Sequence, residues 1–523
     1  MKFAARLFLV IAMAFTTCTL SAQTVVSTNN NIKWSLQALW PHVQAMNFTA
    51  YNVSGSPYTE GISTGIIKID ENSIIATAQL DHKDYGVVRV NKDMTTQWNV
   101  SITGFPVATG IFHNKVLVVA STDVGEFKGI TNNFIGYIID EKTGQILVQK
   151  NFFTASEQYY EQPVFLLAPD GSSFKMAVRT SNLTKKMHFG LAFHVNKGVE
   201  EYFDTQDFKV LEFNDNLDVV NTVKPVLPEG FFIGATTNNN GDIFLMTSYA
   251  QGYIEIAKYE NGKTAASKIL KLPVSMGDDF VENLSDSYLF TSKTDQQNLL
   301  FAISYPNGNG DRELVAAKFN FKDGTIGHNT QVIDRDYLKE LKKSYVPFSK
   351  KYDDVDLGAA KNFEIKDVIE NNGKLIIAMA SLTNIVSNIQ GIGTTSRLDA
   401  YDVLVNIYDD KSNLQYQQII PRTYNSTQIS WNGVDMHCKN DVLYIISNNN
   451  KGINGFKTLY GQIDLKTGAI TNITGISKEG IKNSYSTDPY ATLWFDNQFI
   501  ANYMEVRGWS AGSEDAHMQL VTY

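Results

Sequence analysis

Cysteine is almost absent. The 523 residues hold two, Cys18 and Cys438, so no disulfide framework can brace the fold. Cys438 stands beside His437 just ahead of a predicted strand and reads as a structural thiol, because a nucleophile needs an activated thiolate and a placed base. Charge is sparse as well. Asp, Glu, Lys and Arg make up 19% of the chain with a net of −9, which argues against a nucleic-acid binder, whose phosphates need a basic face. The eight histidines include no His-x-x-x-His or His-Glu-x-x-His spacing, so no local metal site is expected. Asp215, Asp218, Asp409 and Asp410 crowd into turns without the spacing of a calcium loop and are expected to cap those turns. Gly391-Ile392-Gly393 is too short for a dinucleotide fingerprint and follows no strand–helix pattern. Past the N-terminus no run is long and apolar enough to cross a bilayer.

The N-terminus is of a different kind. Lys2 and Arg6 precede the apolar run Leu7–Phe15, and small residues follow up to Ser21-Ala22-Gln23. Residues 1–22 are therefore expected to be a secretory signal peptide cleaved after Ala22. Phe15-Thr16-Thr17 ahead of Cys18 do not make a lipobox, which needs a small residue just before the cysteine. The expected destination is the periplasm or the cell exterior.

What the chain has in quantity is apolar and aromatic side chains, with 30 Phe and 25 Tyr, arranged in short runs broken by turn residues. The stretch Phe231 to Pro273 shows the unit. Asn239-Asn240-Gly241, ahead of a strand apolar on both faces, Ile243–Ser248, and Asn261-Gly262, after a half-polar one, Tyr253–Glu260, supply the positive φ of tight hairpins. Eight apolar cores match the first of these: Ile74–Ala78, Val116–Ser121, Phe174–Thr180, Ile243–Ser248, Leu299–Tyr305, Leu375–Ser381, Val442–Asn448 and Phe499–Met504. Only Lys175 and Arg179 are charged among them. A second hairpin recurs later in the units, twice as Asp-x-x-Thr-Gly (Asp140–Gly144 and Asp464–Gly468), a turn in which Asp caps the backbone and Gly takes the left-handed position. Repeated four-stranded units of this size predict an all-β β-propeller over residues 59–523, with eight blades, or seven as the alternative.

Strand, Asp-Leu-Lys-Thr-Gly, strand resembles the outer hairpin of bacterial propeller repeats of the quinoprotein-like and surface-layer types. The resemblance implies architecture over nearly the whole chain after Ala22. It implies no cofactor, because the Trp that closes many quinoprotein-type repeats is mostly missing. The last unit supplies three strands (Tyr490–Asp496, Gln498–Glu505, His517–Tyr523), and residues 23–58 form a lead-in carrying one strand, Lys33–Trp40. Pairing that strand with the last unit would close the ring and remove an exposed edge. One helix is expected, Asp334–Tyr345, with Tyr337, Leu338 and Leu341 at helical spacing.

In an up-and-down blade the first and third turns emerge on one face, and the second turn and the connection to the next blade on the other. The long segments fall only in the latter class: 123–133, 181–206, 382–398 and 448–455 as second turns, and 152–162, 276–286, 334–362 and 476–488 as connections. Insertions confined to one face mark a binding face. Its candidate residues are Asp81, His82 and Asp84 in one loop, Asp311 and Arg312 in another, then Arg397, Trp431, and Arg507 with Trp509; Arg and aromatics at a ring mouth suit a sugar or a protein partner. Ser121-Thr122-Asp123-Val124-Gly125 approaches the Asp-box of sialidases, but Lys128 stands where the aromatic belongs. The first expectation is an exported, non-catalytic propeller binding a protein or glycan. The alternatives are a secreted glycosidase or lyase with its site at the central channel, whose acids must gather from several blades, and a structural subunit of an envelope complex.

Overall fold

A computed structural model describes residues 24–29, 62–63, 66–79, 85–122, 133–154, 163–181, 205–227, 231–249, 252–274, 287–307, 309–389, 393–426, 433–450, 456–476, 484–506 and 516–523. These form eight antiparallel sheets, each a meander from an inner to an outer strand. The inner strands, which define blades 1 to 8, are Ile66–Asp70, Phe105–Phe112, Val164–Leu167, Phe231–Thr237, Ser287–Thr291, Phe363–Asn371, Val434–Lys439 and Ser484–Trp494. Neighbouring sheets adjoin at their inner ends, and blade 8 returns to meet blade 1. The protein is an eight-bladed β-propeller.

Each blade interface holds its own buried apolar cluster. Ile75, Val118 and Tyr137 join blades 1 and 2, Phe244, Ile256, Phe301 and Phe319 join blades 4 and 5, and Ile377, Leu404 and Phe363 face Leu300 and Leu314 across blades 5 and 6. This is why the second strands are apolar on both alternating faces: each packs against two neighbouring blades. Lys175, the charged exception that is described, is 2% exposed. It bridges to blade 4 by donating to the Gly241 carbonyl and to Asn261 Oδ1, both at 2.8 Å, and burial lowers its pKa against the pull of Glu212.

The turn chemistry follows the sequence. Asp140 Oδ1 accepts from the Thr143 N–H at 2.8 Å, Asp464 Oδ1 from the Lys466 N–H at 2.8 Å, and Gly144 and Gly468 adopt φ of 74° and 72°. Asp409 caps its turn through the Lys411 and Asn413 N–H groups. Asp215 and Asp218 depart from the expected role. Asn214 caps that turn, which frees Asp215 to accept from Lys115 at 2.7 Å and to bond His113, and Asp218 to pair with Lys150. Both ties run from blade 3 to blade 2.

Ring closure uses an N-terminal strand, but a different one from that expected. Thr24–Asn29 is the outer strand of blade 8 and pairs antiparallel with Ala516–Thr522, with a bulge between Val25 and Ser27. Lys33–Trp40 lies outside the described residues. The edge of Ala516–Thr522 selects its partner by backbone pairing along one exposed edge, and the β-branched Thr24, Val25, Val26 and Thr28 suit an outer position.

Candidate binding face

The described elaborations rise from the face of second turns and interblade connections, and they concentrate on blade 6. Its second and third strands, Lys374–Ile389 and Gly393–Tyr408, are 16 residues each. They stay paired to Ile389↔Gly393, well beyond the inner strand, whose pairing stops at Phe363↔Ser381. The sequence reading placed a loop over 382–398; the chain instead continues as a projecting β-hairpin. Ile385, Val386 and Ile389 carry the strand preference that makes this possible. A third short strand, Tyr424–Ser426, flanks one side of the hairpin opposite Leu398–Ala400. From Asn384 to Ile389 the other edge has no strand partner among the described residues. At its root, Leu382, Ala400 and Tyr424 share a buried cluster with Ile66, Met518 and Leu520 of blades 1 and 8.

The insert before blade 6 is the second elaboration. Helix α1, Arg335–Ser344, begins at Asp334, whose side chain accepts from the Tyr337 N–H at 2.7 Å, as expected from the sequence. Tyr337 OH sits between Gln331 of blade 5 and Gln417 of blade 6, fixing the helix in the groove between the two blades.

Asp402 binds these parts together. It lies at the register shift between Ala380 and Leu382 and is 2% exposed. Its carboxylate accepts the Arg422 N–H at 2.6 Å and the Asp356 N–H. Arg422, 4% exposed, donates from Nε to the Tyr401 carbonyl at 2.9 Å and from Nη1 to the Gly433 carbonyl at 3.3 Å. Ser381 Oγ accepts the Ala359 N–H and donates to the Ala359 carbonyl, both at 3.2 Å. Gly358 is required where these strands meet: its φ is 69°, and a Cβ would stand 2.6 Å from both Ser381 Oγ and a Tyr401 ring carbon. Insert, hairpin root and the connection to blade 7 thus share one buried polar joint. Burial pushes the Asp402 carboxyl up to about 7, against the two N–H donors and the Arg422 charge.

Six of the nine candidate residues, Asp81, His82, Asp84, Trp431, Arg507 and Trp509, lie outside the described residues. Arg397 is on the projecting hairpin, opposite Ile385. Asp311 and Arg312 are adjacent on the second turn of blade 5. Arg312 donates from Nε to Ser304 Oγ at 3.2 Å within its own hairpin, and Asn307 holds the turn by accepting the Asp311 N–H at 3.1 Å. Sequence reasoning missed Asp402 and Arg422. The available signal was a lone carboxylate in the apolar run Tyr401–Tyr408.

The inner strands fall into two groups. The inner strands of blades 2 to 5 carry no Asp, Glu, Lys, Arg or His, whereas those of blades 6, 7, 8 and 1 all carry some. Described examples are engaged in joints between blades. Asp367 accepts the Met436 N–H at 2.8 Å, and burial raises its pKa. Glu370 accepts from Ser292 Oγ at 2.6 Å. Asp435 accepts from Trp494 Nε1, and the Trp494 ring stacks on His437 at 5.2 Å. Burial, then Lys68, Lys293 and Lys439, push His437 down to about 4. Burial and Asp367 push the Cys438 thiol up to about 12, which keeps it protonated and poorly nucleophilic. In the first group, Ile62–Ser63 adds a fifth strand inside blade 2, pairing with Gly110 and Thr109.

No protein-family model matches the chain, and no curated protein matches it in sequence. Among solved structures it is similar to BamB from Moraxella catarrhalis, at 10% identity and TM-score 0.38 over 88% of this chain and 98% of that one. It is also similar to the WD40 domain of SCAP from fission yeast, at 9% and 0.39 over 88% and 94%. A polysaccharide lyase of family PL25, an ulvan lyase bound to a GlcA–Rha3S saccharide, matches at 12% and 0.37 over 79% and 91%.

Proposed function

We propose that the chain is an exported, non-catalytic propeller that binds a partner through the face bearing the long connections, with blade 6 at its centre. The observation that carries this is the Asp402 joint: a projecting hairpin, a helical insert and an interblade connection are locked to one another on one face. A surface held rigid before binding loses little conformational freedom on binding. Of the two partner classes, protein and glycan, the strand edge from Asn384 to Ile389 favours an extended polypeptide, which can add to it through main-chain hydrogen bonds. Export rests on residues 1–22.

The test is a thermal-shift titration of the chain from Gln23 against soluble glycans and divalent metals. A ligand that binds only the folded state raises the midpoint in a dose-dependent way. The proposal expects no saturable shift with metals and, for a polypeptide partner, none with glycans. A saturable rise with one glycan would transfer the face to a sugar, and breakdown of that glycan by the protein would refute the non-catalytic reading.

A further inference from the structure

The insert between blades 5 and 6 carries a second surface feature, independent of the hairpin. Residues 342–351 read Lys-Lys-Ser-Tyr-Val-Pro-Phe-Ser-Lys-Lys: four lysines and no acid, in a chain whose net charge is −9. Between the lysine pairs, Val346 is 79% exposed and Phe348 36%, and Val346 has the highest exposure recorded for a large apolar side chain among the described residues.

This exposure is not that of a slack loop. Below the tip the Tyr345 hydroxyl donates to the Tyr352 carbonyl at 2.8 Å, joining the two legs. Leu338 is buried on one leg, and Tyr352, Val355 and Leu357 on the other. Lys351 lies over the Tyr352 ring at 5.0 Å, and Lys343 pairs with Glu340. The legs are seated in the core, and the fold holds an apolar apex out into solvent within a collar of two lysine pairs, behind which the exposed acids Glu340, Asp353 and Asp354 follow on the legs.

We infer that this tip seats the protein on the surface of an anionic phospholipid bilayer. Val346, Pro347 and Phe348 enter the headgroup–acyl boundary, while the lysines stay at headgroup level and meet the phosphates. The collar fits the negative surface potential of such a leaflet, and the apex adds the apolar contact that charge alone would not use. An acidic protein would satisfy the lysines without any need for the exposed Val346 and Phe348.

The experiment is co-sedimentation of the chain from Gln23 with large unilamellar vesicles of phosphatidylcholine, with and without phosphatidylglycerol. That chain keeps every described residue and omits the apolar N-terminal run, which would itself bind lipid. The expected result is binding to the phosphatidylglycerol vesicles alone, weakened by added salt. The quadruple variant Lys342→Gln, Lys343→Gln, Lys350→Gln, Lys351→Gln should reduce it by about tenfold or more, and Val346→Ser with Phe348→Ser by about tenfold. Thermal midpoints of both variants should match the parent, because the altered side chains are exposed. Equal binding to neutral vesicles, or undiminished binding by the Val346→Ser, Phe348→Ser variant, overturns the inference. So does retention on immobilised polyglutamate without retention on vesicles, which assigns the tip to an acidic protein.

Discussion

Replacing Asp402 with Asn should make the protein less stable in acid and more stable at neutral pH, so that its stability curve crosses the parent's. In the folded state burial holds the Asp402 proton up to about pH 7; an unfolded aspartate releases it near 3.8. Between these values the folded state binds more protons than the unfolded chain, so stability falls as pH rises. At about 1.4 kcal/mol per pKa unit, the shift of roughly three units amounts to about 4 kcal/mol lost from about pH 4 to above pH 7. Asn cannot ionise and escapes that loss. In return, its amide nitrogen must face one of the two N–H groups, of Arg422 or Asp356; the hydroxyl oxygen of the neutral acid can still accept there, and an amide nitrogen cannot. An unsatisfied buried donor costs about 1–3 kcal/mol. The variant should therefore trail by that amount near pH 4 and lead by a similar amount near pH 8. For a chain of this size about 1 kcal/mol moves the thermal midpoint by about 1 °C, so the difference between the two midpoints should swing by about 4 °C. Asp367, also raised by burial, is present in both proteins and cancels. Paired thermal melts across this pH range decide the matter. A difference that stays flat, or moves in the parent's favour as pH rises, would mean that the N–H donors and Arg422 outweigh burial and hold Asp402 ionised.

Two further outcomes follow from the ring. Removing residues 1–30 deletes the outer strand of blade 8 and leaves the edge of Ala516–Thr522 open; size-exclusion chromatography should then show species larger than the parent's and melting a lower midpoint, whereas an unchanged elution volume and midpoint would show that Thr24–Asn29 adds nothing. With its thiol pushed up to about 12, Cys438 should resist iodoacetamide in the folded protein at about pH 8 and react rapidly once unfolded; rapid native labelling would contradict the raised pKa.

The repeat was legible because blade sheets write themselves in a two-residue period punctuated by obligatory turn residues. Asp140 and Asp464 cap as the sequence says because their contacts are local, reaching two and three residues along. Helix α1 was legible for the same reason, from Asp334 and the spacing of Leu338 and Leu341. What depends on a distant partner was not. Thr24–Asn29 becomes a strand because Ala516–Thr522 offers it an edge almost 500 residues away, and nothing within Thr24–Asn29 ranks it above Lys33–Trp40. Asp215 looked like a cap, but its partners, His113 and Lys115, are on another blade. Asp402 and Arg422 meet at a bulge that periodicity does not show. The 382–398 segment was read as loop because its polar residues, Asn384, Ser387 and Asn388, mask a strand pattern that only pairing with 393–400 completes.

The central claim is that blade 6 carries the partner surface. Its most direct test replaces residues 386–396 with an Asn-Gly turn, which shortens the hairpin beyond the pair Ile385↔Arg397 and leaves the Asp402 joint intact. Parent and shortened proteins, matched in thermal midpoint, would be used in parallel for quantitative affinity capture from cell-envelope extract. The account predicts that a partner retained by the parent is lost from the shortened protein. Equal retention of the same partners by both would contradict it.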